Sequence, residues 1–277
     1  MKKILLLNFL IALSVICYAQ AGLKQISIPL DNVSGVPYEK AEGAYLLGGF
    51  EVDTNGYFYF MGGAKTTLAV YKQNAPLLRK KYTQFSAGNL LLSSGKLYTF
   101  DMLYNPATSK YKNNIVELRK ADGLVLKIIK QIPKSPVNSY TLIDSSLIIE
   151  QLPTPGVAIY LKYDLFGHFK NKPVNKYDLP SLFFPENYID RGGVNFLGFW
   201  KGYHVYQDYS SRAKIEFWAM DARGVKKLLK EVDNKIVGKS FIETPNEFVK
   251  LRNGNIYIVG YKGKNLLITE FAIENLF

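Results

Sequence analysis

The stretch "EFVKLRNGNIYIVGYKGKNLLITEF" (residues 247–271) holds three short alternating segments separated by two tight turns. "FVKLR" and "NIYIV" flank Asn253-Gly254, the strongest short-range signal for a β-hairpin, and "NLLITEF" follows after a second turn at Gly263. Near the other end of the chain, "GFEVDTNGYFYFMGGAKTTLAVYKQN" (49–74) repeats the same order of segments. Two copies of one pattern at opposite ends point to an internal repeat, which has to be sought before any other feature.

Aligning on the turn between the first two segments gives five units: "FEVDTNGYFYF" (50–60), "NLLLSSGKLYTF" (89–100), "YTLIDSSLIIEQ" (140–151), "VNFLGFWKGYHVYQ" (194–207) and "FVKLRNGNIYIV" (248–259). Their turn positions, Gly56, Gly95, Ser145, Gly202 and Gly254, stand 39, 50, 57 and 52 residues apart. A third alternating segment follows each, at 67–74, 114–123, 158–167, 215–224 and 265–273, and three of them run into an Asp and Gly turn. The first four units add a polar, basic segment at 77–85, 124–133, 169–178 and 225–232. "VKKLLKEVDNK" (225–235) has helical periodicity, yet its place in the repeat makes it a strand.

Four antiparallel strands per unit is the make-up of a propeller blade, so the sequence predicts an all-β propeller. The fifth unit lacks its fourth strand before the chain stops at Phe277, while "LKQISIPL" (23–30) has the missing basic, alternating character at the other end. Residues 23–30 are therefore expected to pair with 265–273 and close a five-bladed ring, which removes an open sheet edge. A six-bladed ring is the alternative, its extra blade coming from "LPSLFFPENYIDRGG" (179–193), a connection that with its neighbours is short for four strands. A β-sandwich or solenoid would leave the split fifth unit unexplained.

The hairpins "EVDTNGYFYFMGG" (51–63) and "EFVKLRNGNIYIVGY" (247–261) resemble the NHL-type and related propeller repeats of secreted bacterial proteins. Units match that family in pattern, and "YTLIDSSLIIEQ" lacks the turn glycine. The resemblance implies a protein that binds, since most families with such repeats do, and it carries over no catalytic residue. Fold alone does not choose a function.

The first nineteen residues, "MKKILLLNFLIALSVICYA", read as a signal peptide: Lys2 and Lys3, an apolar run from Ile4 to Ile16, then small residues before Gln20. That run is shorter than the roughly 20 residues of a spanning helix. The Ala19-Gln20 junction is similar to exported proteins of the Bacteroidota, and the expected destination is the periplasm or the exterior. Cys17, the single cysteine, follows Ile16 where a lipid-modified cysteine follows a small residue, so cleavage after Ala19 and not lipidation is expected. The mature domain, 20–277, then contains no cysteine and has neither a disulfide framework nor a thiol nucleophile.

The whole chain has 35 Lys and Arg against 23 Asp and Glu; loss of Lys2 and Lys3 leaves 33 against 23, a net charge of +10. The longest basic run is Arg79-Lys80-Lys81, too short for a polybasic tail, and an exported protein rarely meets nucleic acid. Lysines on exposed strands also keep sheet edges soluble. No nucleic acid, no cofactor and no metal are expected, and the chain is expected to act as a monomer.

Catalytic chemistry has little to draw on. The two histidines, His168 and His204, lie far apart and in no ligand spacing, and no GxSxG elbow occurs. "DTNG" (53–56) offers too few oxygens for calcium and is a turn, and "GGAK" (62–65) precedes no helix that would hold phosphate. The alternative to a binding module is a glycoside hydrolase using two inner-strand carboxylates from among Glu51, Asp53, Asp190, Glu243 and Glu247, although no spacing selects a pair. Trp200 and Trp218 are expected to fill space between blades.

The connecting segments carry a more specific pattern. In a propeller, the outer-to-inner connections and the loops between second and third strands share one face. Here these are 34–45, 103–114, 183–193, 208–212 and 261–264, and each contains tyrosine, usually beside Lys or Arg. A tyrosine ring offers a flat apolar face with a polar tip, and a cation beside it pairs with carboxylate or sulfate. Tyr188, Arg191, Tyr209, Arg212, Tyr261 and Lys262 are the expected contacts for an anionic carbohydrate, a peptide or an envelope protein.

Overall fold

A computed structural model of the chain describes residues 22–41, 43–63, 66–83, 87–93, 95–105, 110–132, 137–143, 146–154, 157–164, 174–175, 194–209, 211, 213–241 and 248–276. The side chains of the third sheet below, and of parts of the second and fourth, lie outside that description. The strands are β1 (Lys24–Pro29), β2 (Glu39–Ala41), β3 (Ala44–Leu46), β4 (Gly49–Val52), β5 (Tyr57–Gly62), β6 (Thr67–Lys72), β7 (Ala75–Lys81), β8 (Ala87–Ser93), β9 (Lys96–Asn105), β10 (Lys110–Leu118) and β11 (Val125–Ile132). They continue with β12 (Val137–Ile143), β13 (Ser146–Thr154), β14 (Val157–Asp164), β15 (Val174–Asn175), β16 (Val194–Trp200), β17 (Tyr203–Asp208), β18 (Lys214–Met220), β19 (Lys226–Asp233), β20 (Val249–Arg252), β21 (Asn255–Lys262) and β22 (Asn265–Ala272).

Five four-stranded antiparallel sheets form an all-β, propeller-like fold. The first four are simple meanders, β4 to β7, β8 to β11, β12 to β15 and β16 to β19. The fifth has the order β1-β22-β21-β20, so its outermost strand comes from the start of the chain. β1 runs antiparallel to β22 in continuous register from Lys24 opposite Glu270 to Pro29 opposite Asn265. Alternation drives this pairing: Ile26 and Ile28 turn inward while Gln25, Ser27 and Pro29 are exposed. Outer strands β7 and β19 carry the lysines, as expected for strands with one hydrogen-bonding edge open.

Turn chemistry fixes the hairpins. Asn253 and Gly254 have φ of 47° and 69°, and Lys201 and Gly202 have 48° and 83°, the paired positive values of a two-residue type I′ turn. "DTNG" forms a different turn. Gly56 N–H donates to the Asp53 carbonyl at 3.1 Å, and the Asp53 carboxylate accepts from the N–H groups of Asn55 and Tyr57 at 2.9 and 3.0 Å. The aspartate caps the turn, which leaves its side chain little to offer a metal ion.

Adjacent sheets pack face to face through apolar layers. Between the first and fifth lie Phe50, Phe58, Phe60, Ile28, Tyr257 and Ile268, with the Phe58 and Tyr257 rings 6.0 Å apart and near perpendicular. Val205, Phe217, Leu251, Ile256 and Phe271 join the fourth and fifth, with Trp200 packed against them as expected. Trp218 lies on the other face of the fourth sheet from Phe217, half-buried, its indole N–H donating to Glu216 at 3.1 Å. Tyr59, Met61, Leu68, Leu97 and Val116 join the first and second.

Two segments read as loops are strands. Within 34–45, Glu39–Ala41 and Ala44–Leu46 pair as a separate hairpin, β2–β3. Within 103–114, β9 and β10 extend through Asn105 and from Lys110. Both are polar sequences whose backbone groups find partners in an antiparallel ladder, a pairing that apolar periodicity does not signal. The basic segment 225–235 forms β19 followed by one helical turn, Asn234–Val237, started by Asp233, whose carboxylate accepts from Lys235 N–H at 2.7 Å.

Candidate functional site

The fourth and fifth sheets part at one end and leave a cavity of about 260 Å³. Gln207 and Tyr209, at and just past the end of β17, form one side with Ser211 and with Ile215 of β18. Asn234, Val237, Gly238 and Ser240, after β19, form the second side. Phe248 with Val249 of β20, and Ile258 to Gly260 of β21, form the third. Of the segments expected to share the loop face, 208–212 contributes Tyr209 and Ser211 to this cavity.

Two glycines make this geometry possible. Lys239 and Tyr261 exchange backbone hydrogen bonds of 2.9 Å in both directions, which lays residues 237–240 directly on the end of β21. A Cβ on Gly260 would stand 2.2 Å from the Val237 carbonyl oxygen, and one on Gly238 would stand 2.5 Å from that of Tyr261. Only glycine allows so close an approach of two backbones. Asn234 N–H donates to the Ala213 carbonyl at 3.0 Å, tying the helical turn to the Tyr209 loop.

Gln207, a lining residue, holds a buried polar atom. Gln207 is 2% exposed, and its Oε1 accepts no hydrogen bond from the described residues. Leaving such a group unsatisfied costs about 1–3 kcal/mol. No charged side chain lines the cavity, but Lys235, Lys239 and Lys262 are exposed on the segments that frame it and form no ion pair with the described residues.

The expected contacts divide accordingly. Tyr209 lines the cavity, half-buried. Lys262 is exposed at the turn into β22. Tyr261 is 7% exposed, and its ring lies 4.9 Å from Tyr45 and 5.1 Å from Phe241, so its face is taken up by the core. Tyr188, Arg191 and Arg212 lie outside the described residues. Gln207, Asn234 and Ser240 were missed because polar residues at strand ends read as solvent-facing. Gly260, an isolated glycine within a strand, was the one available signal of close backbone approach.

Two of the five carboxylates weighed for glycoside hydrolysis, Glu51 and Asp53, are engaged elsewhere. Glu51 is 1% exposed, accepts from Arg252 Nη2 at 2.8 Å, and has Lys250 Nζ 3.1 Å from its other oxygen. It thereby ties β4 to β20, the innermost strands of the first and fifth sheets. Asp53, besides capping its turn, accepts from Tyr59 at 3.1 Å and from Lys120 at 3.3 Å. Burial, then the Asp53 charge, pushes the Tyr59 phenol well above its ordinary value. Asp190, Glu243, Glu247 and His168 lie outside the described residues, and His204 stands half-buried on β17. Among the described residues no three of His, Cys, Asp and Glu gather as a metal site, and no helix is long and apolar enough to cross a membrane.

No family model and no curated protein matches the chain. Among solved structures it is similar to the PQQ-bound aldose sugar dehydrogenase of Streptomyces coelicolor, at 9% identity over 89% of this chain and 98% of that one, TM-score 0.46. A family 117 glycoside hydrolase of Zobellia galactanivorans aligns at 9% identity over 92% of each chain, TM-score 0.41. A Bacteroides caccae protein of unknown function aligns at 12% identity over 86% of this chain and 84% of that one, TM-score 0.39. Likeness at this level transfers neither activity nor ligand.

Proposed function

We propose that the protein is an exported, non-catalytic recognition module. In this reading it is a closed five-bladed ring of NHL-like repeats, released from residues 1–19, that binds an anionic carbohydrate, peptide or envelope protein on its loop face. The observation carrying this reading is the cavity between the fourth and fifth sheets, framed by three exposed lysines that form no ion pair with the described residues. A cation held near a concave apolar site and free of a carboxylate is positioned to meet an anion from outside. Tyr209 supplies a ring at the same mouth, and Tyr188, Arg191 and Arg212 are the further contacts proposed. Glu51 and Asp53, each held by cations, favour recognition over glycoside hydrolysis.

The test is a glycan and peptide array probed with the mature protein, followed by titration of any bound ligand at rising salt. Raising salt from 0.1 M to 1 M shortens the screening length from about 10 Å to about 3 Å, so affinity carried by the lysines falls across that range. Lys239→Ala with Lys262→Ala is expected to weaken binding at least tenfold, as the loss of hydrogen bonds to charged groups of about 1.5–3 kcal/mol each implies. An array with no ligand, or binding indifferent to these changes and to Tyr209→Ala, would overturn the proposal.

A further inference from the structure

We infer that the end of the molecule opposite the cavity is a docking surface for an anionic lipid bilayer, on which the protein rests with its cavity turned to solution. The inference goes beyond the recognition reading and does not depend on what the cavity binds. Contacts between turns define that end. The β4–β5 turn meets the β10–β11 turn where Asp53 and Lys120 pair at 3.3 Å, and the β16–β17 turn meets the β20–β21 turn where Gly254 lies against the Trp200 ring. Arg252, two residues before Gly254, reaches Glu51, two residues before Asp53, at 2.8 Å, so these turns of four sheets lie together. In each meander the turn from third to fourth strand falls at this same end. The turn from second to third, which carries Tyr209 and Ser211 in the fourth sheet, falls at the cavity end.

Exposed apolar side chains gather at this end. Of the seven large ones among the described residues, Leu77, Leu124, Leu126, Val225 and Leu228 stand within three residues of the start of an outer strand, just past its third-to-fourth turn. Phe199 stands at the end of β16 beside the β16–β17 turn, and Val33 alone lies elsewhere. Scattered exposed apolar residues are ordinary, but six of seven at one end are not, and such a gathering marks an interaction surface. The six belong to three different sheets with charged turns between them. A rigid partner would need a separate pocket for each, whereas a bilayer closes around side chains that enter one at a time and asks only for buried apolar area and attraction to its headgroups.

The charge left over there is positive. The acids of these turns are matched, Asp53 by Lys120, Asp122 by Arg119 and Asp221 by Arg223. Lys226 and Lys227 are exposed between Val225 and Leu228 and form no ion pair with the described residues, and Lys72 is exposed at the β6–β7 turn. Long lysine side chains carry their amines to the lipid phosphates while neighbouring apolar side chains enter below them. β1 also enters the fold at this end, with Lys24 opposite Glu270, so residues 1–21, which include the apolar run Ile4 to Ile16, join the domain on the side that faces the bilayer.

The experiment is co-sedimentation of residues 20–277, which hold every described strand and lack the apolar run, with vesicles of phosphatidylcholine alone or mixed equally with phosphatidylglycerol. Binding is expected to the mixed vesicles only, and it should fall as salt rises and screening shortens. Lys226→Ala with Lys227→Ala should weaken it about 25-fold, at about fivefold for each lysine near an anionic surface. Leu77→Ser, Leu126→Ser and Val225→Ser together should weaken it about tenfold or more through lost apolar burial. All three side chains are exposed, so the melting temperature should stay that of the parent. Lys239→Ala with Lys262→Ala, at the cavity end, should leave vesicle binding unchanged. No binding to the mixed vesicles, equal binding to phosphatidylcholine alone, binding indifferent to the serine substitutions, or binding lost in Lys239→Ala with Lys262→Ala would each overturn the inference. Self-association abolished by the serine substitutions, without vesicle binding, would assign this end to a second copy of the chain instead.

Discussion

Glu51 shows how one carboxylate can belong to architecture when its sequence position invites a catalytic role. It sits on an innermost strand, where a glycosidase would carry an acid, but Lys250 and Arg252 reach it across the gap between two sheets. Glu51→Ala leaves two partly buried cations facing each other and is expected to cost about 3 kcal/mol, the lower end for breaking a buried pair, measured by urea denaturation. A cost below about 1 kcal/mol would show that solvent already screens the cluster. Gly260→Ala tests the close approach beneath residues 237–240: a Cβ 2.2 Å from the Val237 oxygen forces the strand and that segment apart, with about 1–3 kcal/mol lost and the cavity reshaped. An alanine variant as stable as the parent would contradict that contact. Gly260 could be read from sequence as a glycine interrupting a strand, whereas the burial of Gln207 could not. It comes from the packing of the fourth sheet against the fifth, and a glutamine at a strand end looks the same whether water or a neighbouring sheet lies beside it.

At the scale of elements, β1 is the piece whose sequence and structural readings agree most closely. Its alternation and the missing strand of the last unit placed it against 265–273, and the register from Lys24 to Pro29 places it there. A chain lacking residues 22–30 loses the burial of Ile26, Ile28 and Leu30, about 4.5–9 kcal/mol at ~1.5–3 kcal/mol each, and bares the β22 edge. It is expected to elute as aggregate in size-exclusion chromatography, and a stable monomer would contradict the pairing's importance. The neighbouring β21–β22 ladder carries a pH signature. Burial, and then the Glu270 charge, pushes the Tyr257 phenol up to about 12 from its ordinary value near 10. The folded state therefore holds that proton more tightly than the unfolded chain. Its contribution to stability is complete below pH 10 and is lost between pH 10 and about 12. Tyr257→Phe should lessen the fall of stability over that interval, to which the buried Tyr59, Tyr71, Tyr82 and Tyr98 phenols also contribute, and an unchanged alkaline limb would remove Tyr257 as one of its sources. Segments 34–45 and 103–114 were less legible, because hydrogen bonding along polar strands leaves no apolar rhythm in the sequence.

Across the whole molecule, the repeat made the number and order of the sheets legible, since each unit restates the same turn and the same alternation. The site was legible only by region. Tyr209 lines the cavity and Lys262 is exposed at the turn into β22, but which side chains enter the space between sheets depends on packing that a single strand does not encode. The cavity and the split fifth sheet share the same strands, as β20 and β21 line the cavity while β1 completes their sheet. Basic outer strands offer a competing place for an anion, with Leu77 exposed beside Arg79 to Lys81 on β7 and Leu228 beside the lysines of β19. Hydrogen–deuterium exchange of the mature protein with and without dextran sulfate separates the two most directly. The account predicts slowed exchange at 205–213, 234–241 and 258–264. Slowing confined to β7 and β19, with those three segments unchanged, would contradict it.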